Sequence, residues 1–251
     1  LCLSDGNKPS KSMKDRASSV AIWDAINSGK SSIAVASCGN AAVSTAKLSK
    51  KVGIQCNVFI PKQGTEMVQK KLKEEDARIF LYETYSSAVE ACKNFCSESS
   101  DTYCRLTGIN PLTRVGKSTI YESLKSIKGT DLSLYIPVGD GNLASSIMYY
   151  DTSQYSIYLY SPILAQNKAF ERFGLDTSSS AILPLDVKEP QDYSLIKQLS
   201  KRPNITLTAL EDKYFKINEE KFNEKDLDNA CEVFYGGLHL AGETDNNRTS
   251  I

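Results

Sequence analysis

Short apolar runs alternate with amphipathic stretches along most of this 251-residue chain, and that alternation restricts it to parallel sheets covered by helices. A parallel strand buried on both faces reads as a continuous apolar run, and its return needs a long crossover, usually a helix. Strands are predicted at 32–36, 55–60 (stopped by Pro61), 77–82, around Cys104, and at 132–138, 155–160 and 205–210. A small-residue helix opens at Gly39 and ends after Lys50 and Lys51 at Gly53, a cation-rich last turn with a glycine cap. Further helices are predicted over 65–74, over 86–97 with Ala88, Val89, Cys92 and Phe95 on one face, over 119–127, after Leu143 and over 228–234. Residues 31–103 read as one compact α/β subdomain; the signal weakens past Thr177, and 211–226 is a charged stretch with little periodicity.

Lysine and arginine together number 30 and so do aspartate and glutamate, so the net charge of zero points to neither nucleic acid nor an anionic membrane as partner. No apolar run approaches a membrane span. The start, Leu1-Cys2-Leu3-Ser4-Asp5, does not resemble a signal peptide and lacks an initiator Met, so a preceding segment is expected. Seven cysteines without a Cys-x-x-Cys pair fit buried thiols in a reducing, cytoplasmic setting better than a zinc site, and no metal is expected. One histidine, His239, leaves little room for Ser-His-Asp chemistry.

Three stretches carry chemistry. In Asn7-Lys8-Pro9-Ser10-Lys11-Ser12-Met13-Lys14-Asp15-Arg16 a cationic turn leads into a helix at Lys14, with Ser10 or Ser12 as the cap and Ala17, Val20, Ala21, Trp23 and Ile26 spaced for a buried face. A lysine at a helix N-terminus sits in unfavourable positive potential, which should lower its pKa and suit a Schiff-base nucleophile. In Ala36-Ser37-Cys38-Gly39-Asn40-Ala41-Ala42 a strand ends in small polar residues at a helix start, which presents backbone N–H groups to an anion or is an ordinary turn capped by Ser37. In Pro137-Val138-Gly139-Asp140-Gly141-Asn142-Leu143 two glycines between a strand and a helix let the backbone curl around a phosphate.

These stretches, in this order, resemble fold-type II pyridoxal-phosphate (PLP) enzymes, threonine synthases in particular. Pro9 to Arg16 is similar to the family's Pro-Thr-Gly-Ser-Phe-Lys-Asp-Arg, with Lys11 at its glycine and Met13 at its phenylalanine. The resemblance implies that Lys14 carries the cofactor as a Schiff base. Residues 36–41 resemble Ala-Ser-(Ser/Thr)-Gly-Asn-(Ala/His), which implies Ser37, Cys38, Gly39 and Asn40 at the substrate carboxylate and Asn40 also at the ring hydroxyl. Val138, Gly139, Asp140, Gly141, Asn142 and Leu143 correspond to the phosphate cup. Residues 108–119 resemble the threonine synthase stretch Asn-Ser-x-Asn-Pro-x-Arg-x-x-Gly-Gln-Lys-Thr, implying substrate contacts from Asn110 and Arg114. Thr107-Gly108 replaces its Asn-Ser pair, Thr113 falls on its arginine, and Arg114 comes one position late. Thr249 and Ser250 are the tail's only candidates for a partner to the pyridine nitrogen.

The expected fold is therefore α/β, two three-layer domains of the tryptophan synthase beta-like PLP-dependent fold with the cofactor between them. The larger is expected over 1–30 and 104–251, with 31–103 the smaller, inserted domain. The expected activity is that of a PLP-dependent lyase acting on a small-molecule amino acid, threonine synthase first and a dehydratase or β-replacement enzyme on a serine- or phosphoserine-like substrate second. A non-catalytic binding module is the alternative from another class, supported by the departures at Lys11, Met13, Thr107, Gly108 and Thr113. The resemblance also implies a homodimer. A nicotinamide-binding Rossmann unit fits less well, since Gly139-x-Gly141 lacks the third glycine of that fingerprint.

Overall fold

The computed structural model describes residue 5 and residues 7–63, 65–106, 110–127, 132–162 and 192–215. Two compact units divide the chain, Leu1–Ile120 and Tyr121–Ile251.

The first unit is built on a four-stranded parallel sheet of order β3-β2-β1-β4, with β1 Ser32–Ala36, β2 Gln55–Pro61, β3 Arg78–Tyr82 and β4 Thr102–Cys104. Because side chains alternate along a strand, β1 supplies two cores at once. Ile33 and Val35 meet α1 Lys14–Asn27, α2 Asn40–Val52 and α3 Glu66–Glu74 through Ala21, Ile22, Ala42, Ala46 and Leu72. Ala34 and Ala36 face α4 Tyr85–Glu98 through Ala88 and Cys92, beside Phe59, which stacks on Phe80 at 4.7 Å. Full burial contributes about 1.5–3 kcal/mol per large aliphatic or aromatic side chain. The alanines let the helices lie close. Gly53 caps α2 at φ 78°, as its place after Lys50 and Lys51 leads one to expect.

Two expectations need correction here. The buried face of α1 is Ala17, Ser18, Ala21, Ile22 and Ala25, while Trp23 is 64% and Ile26 45% exposed. The helical period carries residues 17, 21 and 25 inward, and hydrophobicity at 23 and 26 does not override it. The second concerns α5, which spans Leu112–Lys125 and so begins seven residues before the predicted 119. A Cβ at Gly116 would lie 2.3 Å from the Arg16 carbonyl oxygen and 2.6 Å from Ala17 Cα. The glycine is the point where this helix meets the backbone of α1.

Among its described residues the second unit holds a three-stranded parallel sheet, β5 Ser133–Pro137, β6 Ser156–Pro162 and β7 Ile205–Leu210 in that order. Tyr135 and Tyr158, opposite one another in register, stack at 5.0 Å. The helices α6 Asn142–Met148 and α7 Tyr193–Leu199 complete its described part, followed by a 3-10 turn at Asp212–Phe215. No helix was expected at α7, which is only seven residues long and whose cap residue, Asp192, makes no side-chain capping bond. The helix expected over 228–234, His239, Thr249 and Ser250 lie outside the described residues. The four-stranded sheet occupies nearly the expected 31–103 segment, and the compact unit around it also takes in α1 and the start of α5.

Among the described residues no helix is long and apolar enough to cross a membrane, and no group of three or more potential metal ligands is present. Cys56 and Cys92 are buried, Cys96 and Cys104 half-buried and Cys38 exposed, so the expectation of mostly buried thiols holds for only part of the set.

Candidate active site

Lys14 is the first residue of α1. Tight turns lead to it, with the Lys8 amide donating to the Asp5 carbonyl and the Lys11 amide to the Lys8 carbonyl, each at 2.9 Å. Lys11 sits at φ 58°, the left-handed conformation natural to the glycine it replaces. Neither candidate serine caps the helix in the expected way. Met13 is the cap residue, Ser12 accepts from the Lys14 amide at 3.2 Å, and Ser10 donates instead to Asp15. Asp15, 2% exposed, takes the Ser10 amide at 2.7 Å, the Ser10 hydroxyl at 2.6 Å and the Ser44 hydroxyl of α2 at 2.6 Å. Arg16 forks onto Asp5 at 2.7 and 2.9 Å and reaches Thr119 of α5 at 3.0 Å. The lysine turn is thereby tied to α2 on one side and α5 on the other.

The turn leaving β1 opens α2, whose first helical bonds run from the Ala42 and Val43 amides to the Gly39 carbonyl at 2.9 and 3.3 Å, so the amides ahead of them have no helical acceptor. The Gly39 amide turns back to Ser37 Oγ at 3.3 Å, and no side-chain capping bond is made. A Cβ added at Gly39 would meet nothing within 4 Å, so the turn faces open space. Cys38 is exposed and Asn40 half-buried. An anion arriving here would meet helix-terminal N–H groups.

Asn110 and Arg114 are placed differently from one another. The Asn110 amide group donates to the Tyr103 hydroxyl at 2.9 Å and the Cys104 carbonyl at 3.0 Å, while its oxygen accepts from the Leu112 amide at 3.0 Å. It organises the entry to α5. Thr113, at the family's arginine position, is buried and donates to the Asn110 carbonyl at 2.9 Å; Arg114 beside it is exposed. Burial and the hydrogen bond to Asp24 push the Tyr103 hydroxyl up to about 12. Thr107 and Gly108 lie outside the described residues.

In the second unit Val138 is fully buried and its amide donates to the Tyr160 carbonyl at 2.9 Å. Gly139 and Asp140 are half-buried, and Leu143 follows Asn142 in the first turn of α6. Gly141 has φ +80°, and a Cβ there would lie 2.9 Å from Ile196 Cγ1 and 3.3 Å from Asp192 Cβ. The Asp192 amide donates to the Asp140 carbonyl at 3.1 Å, and its buried carboxylate accepts from Ser145 Oγ at 2.5 Å and Asn142 Nδ2 at 3.4 Å.

Asp15, Ser44 and Asp192 were not singled out as site residues from sequence. Ser44, Thr45 and Ser49 on the buried side of an otherwise alanine-rich helix were the available signal for Ser44; nothing comparable marks Asp192.

Residues 2–182 match the protein-family profile described as pyridoxal-phosphate dependent enzyme. Threonine synthase of Mycobacterium bovis is 28% identical over 147 residues, 56% of this chain and 40% of the relative's length. Among solved structures, a pyridoxal 5'-phosphate-dependent aspartate racemase superposes with a TM-score of 0.73 at 19% identity, covering 90% of this chain and 74% of that one. The processed form of threonine deaminase isoform 2 from Solanum lycopersicum gives 0.74 at 16% identity, covering 92% and 67%. These likenesses carry the tryptophan synthase beta-like fold. The residues of the first unit fit the cofactor: an amine at a helix start, and an open turn of helix-terminal N–H groups ending in an asparagine. With the family profile spanning most of its length, this chain belongs to the fold-type II pyridoxal-phosphate dependent enzymes.

Proposed function

We propose that the chain is a lyase of the threonine synthase type, acting on O-phosphohomoserine with Lys14 as cofactor lysine and acid–base group. The observation that carries this reading is the 2.6 Å bond from Ser44 of α2 to Asp15, which fixes the Lys14 turn against the helix that opens at Asn40. Bound pyridoxal phosphate would supply the electron sink for a carbanion at the substrate Cα. The Lys14 amine would hold the cofactor and serve to move protons at the substrate Cα and Cβ. The N–H groups of the 37–40 turn would take the substrate carboxylate, with Asn40 also toward the ring hydroxyl. Residues 138–143 would bind the cofactor phosphate.

A second reading is favoured by the buried Thr113 at the family's arginine position. Without a forked cation there, a substrate phosphate loses its strongest partner. A dehydratase or β-replacement reaction on a serine-like amino acid then becomes the better fit.

An absorption spectrum with added pyridoxal phosphate, beside the Lys14→Ala variant, tests the lysine. A visible band that depends on Lys14, followed by phosphate release from O-phosphohomoserine but not O-phosphoserine, is expected. Keto-acid formation without phosphate release would select the second reading. No band in folded protein would overturn both and leave a binding module. Since the chain matches 40% of the length of its M. bovis relative, turnover is measured on this chain and on any longer natural form.

A further inference from the structure

A line of buried polar groups runs from the Lys14 turn into the interior of the first unit. Ser44 Oγ donates to Asp15 Oδ1 at 2.6 Å, lies 2.7 Å from Ser18 Oγ, and Arg105 Nη2 donates to Ser18 Oγ at 3.0 Å. Asp15 is 2% exposed, Arg105 1%, and the two serines not at all. A carboxylate only accepts and a guanidinium only donates, so the two serine hydroxyls, with Thr45 Oγ1 3.4 Å from Ser18 Oγ at their side, link the buried anion to the buried cation. Among the described residues Arg105 Nε and Nη1 find no hydrogen-bond partner, and Ser18 is the side-chain acceptor through which the guanidinium joins this line.

Packing alone does not call for such a group. Apolar residues of similar volume usually fill a buried site at least as well as an ion pair. The line ends, moreover, on the two Ser10 bonds that shape the turn before Lys14. We propose that Asp15 is the positioning residue for Lys14, and that Arg105 holds Asp15 in place through Ser18 and Ser44. With its carboxylate oriented from behind, Asp15 holds Ser10 by amide and hydroxyl together, which limits the positions open to the lysine backbone. The proposal rests on Lys14 being the cofactor lysine.

The test uses the whole chain and two readouts. The first is the amount of pyridoxal phosphate trapped on Lys14 by borohydride at limiting cofactor, per folded molecule. The second is hydrogen exchange of the peptide containing Ser10 without cofactor. Asp15→Asn should lower trapping about tenfold, equivalent to about 1.4 kcal/mol, and speed exchange. Ser44→Ala, which removes one oxygen and keeps the α2 backbone, should lower trapping about threefold. Arg105→Met should resemble it, and Arg105→Lys should recover part of the loss by keeping the charge. Trapping that falls only with the folded fraction, or unchanged exchange and trapping in Ser44→Ala, would overturn the positioning role while leaving Lys14 as the cofactor lysine. No adduct on the unmodified chain would instead overturn the Lys14 assignment, and this proposal with it.

Discussion

The turn at Lys14 and the turn at Gly139 were both picked out from motifs, yet different physics shapes them. Behind Lys14 lies a line of buried hydroxyls ending on a guanidinium, which packing gives no reason to have. At the second turn Gly141 is accounted for without a ligand, since its φ of +80° and the 2.9 Å approach to Ile196 demand a glycine there. A glycine that packing requires says little about phosphate. A buried polar line that packing does not require says more. The lysine turn therefore carries the greater weight in the functional reading.

The comparison can be broken with glycine substitutions. Gly116→Ala should cost most, about 3 kcal/mol or more, because the added methyl meets the α1 backbone at 2.3 Å and backbone cannot swing aside. Urea unfolding followed by Trp23, the single tryptophan, reads that loss in the first unit; a shift below about 1 kcal/mol would show that α1 and α5 separate easily. Gly141→Ala should cost about 2 kcal/mol, part from the left-handed backbone and part from Ile196, whose side chain can give. Hydrogen exchange in α6 and α7 would register it, and a cost exceeding that of Gly116→Ala would reverse the comparison.

A smaller effect comes from Tyr103, which joins Asp24, at 2.6 Å, to the side chain of Asn110. Its hydroxyl is raised from 10.0 to about 12, chiefly by burial and then by Asp24. The folded state therefore keeps the proton longer than the unfolded chain does. The resulting stabilisation is complete below pH 10 and is lost as pH rises toward 12. Tyr103→Phe should remove that alkaline loss along with about 1 kcal/mol of hydrogen bonding. An unchanged slope of stability against pH in the variant would rule Tyr103 out as its source.

Strands and their parallel arrangement were legible because continuous apolar runs such as 33–36 have little alternative to a doubly covered sheet. The start of α5 was not, since Gly116 packs against the Arg16 carbonyl, a contact far back in the chain that local patterning does not carry. Lys14 and the 37–40 turn were legible through resemblance, and both fall at helix starts as the residues implied. Asp15 was hidden because its partner Ser44 lies 29 residues away and Arg105 joins Ser18 across 87, separations that local patterning cannot bridge. Asp192 is 47 residues from Ser145 and was hidden for the same reason.

Lys11 sharpens the contrast at the smallest scale. At φ 58° it holds a conformation that costs a side-chain-bearing residue about 1–2 kcal/mol, at the position where the related motif has glycine. Lys11→Gly would relieve that strain and would also loosen the unfolded chain, by about 0.4–1 kcal/mol. The net expectation is a modest gain of roughly 0.5–1 kcal/mol. If Asp15 fixes the turn, as the two Ser10 bonds indicate, the gain should come without faster exchange at Ser10, because the tether does not involve residue 11. Stability gained together with faster exchange would mean that the stiff lysine backbone, and not the carboxylate behind it, holds the turn. A loss of stability would mean that the folded turn depends on the Lys11 side chain for contacts worth more than the strain.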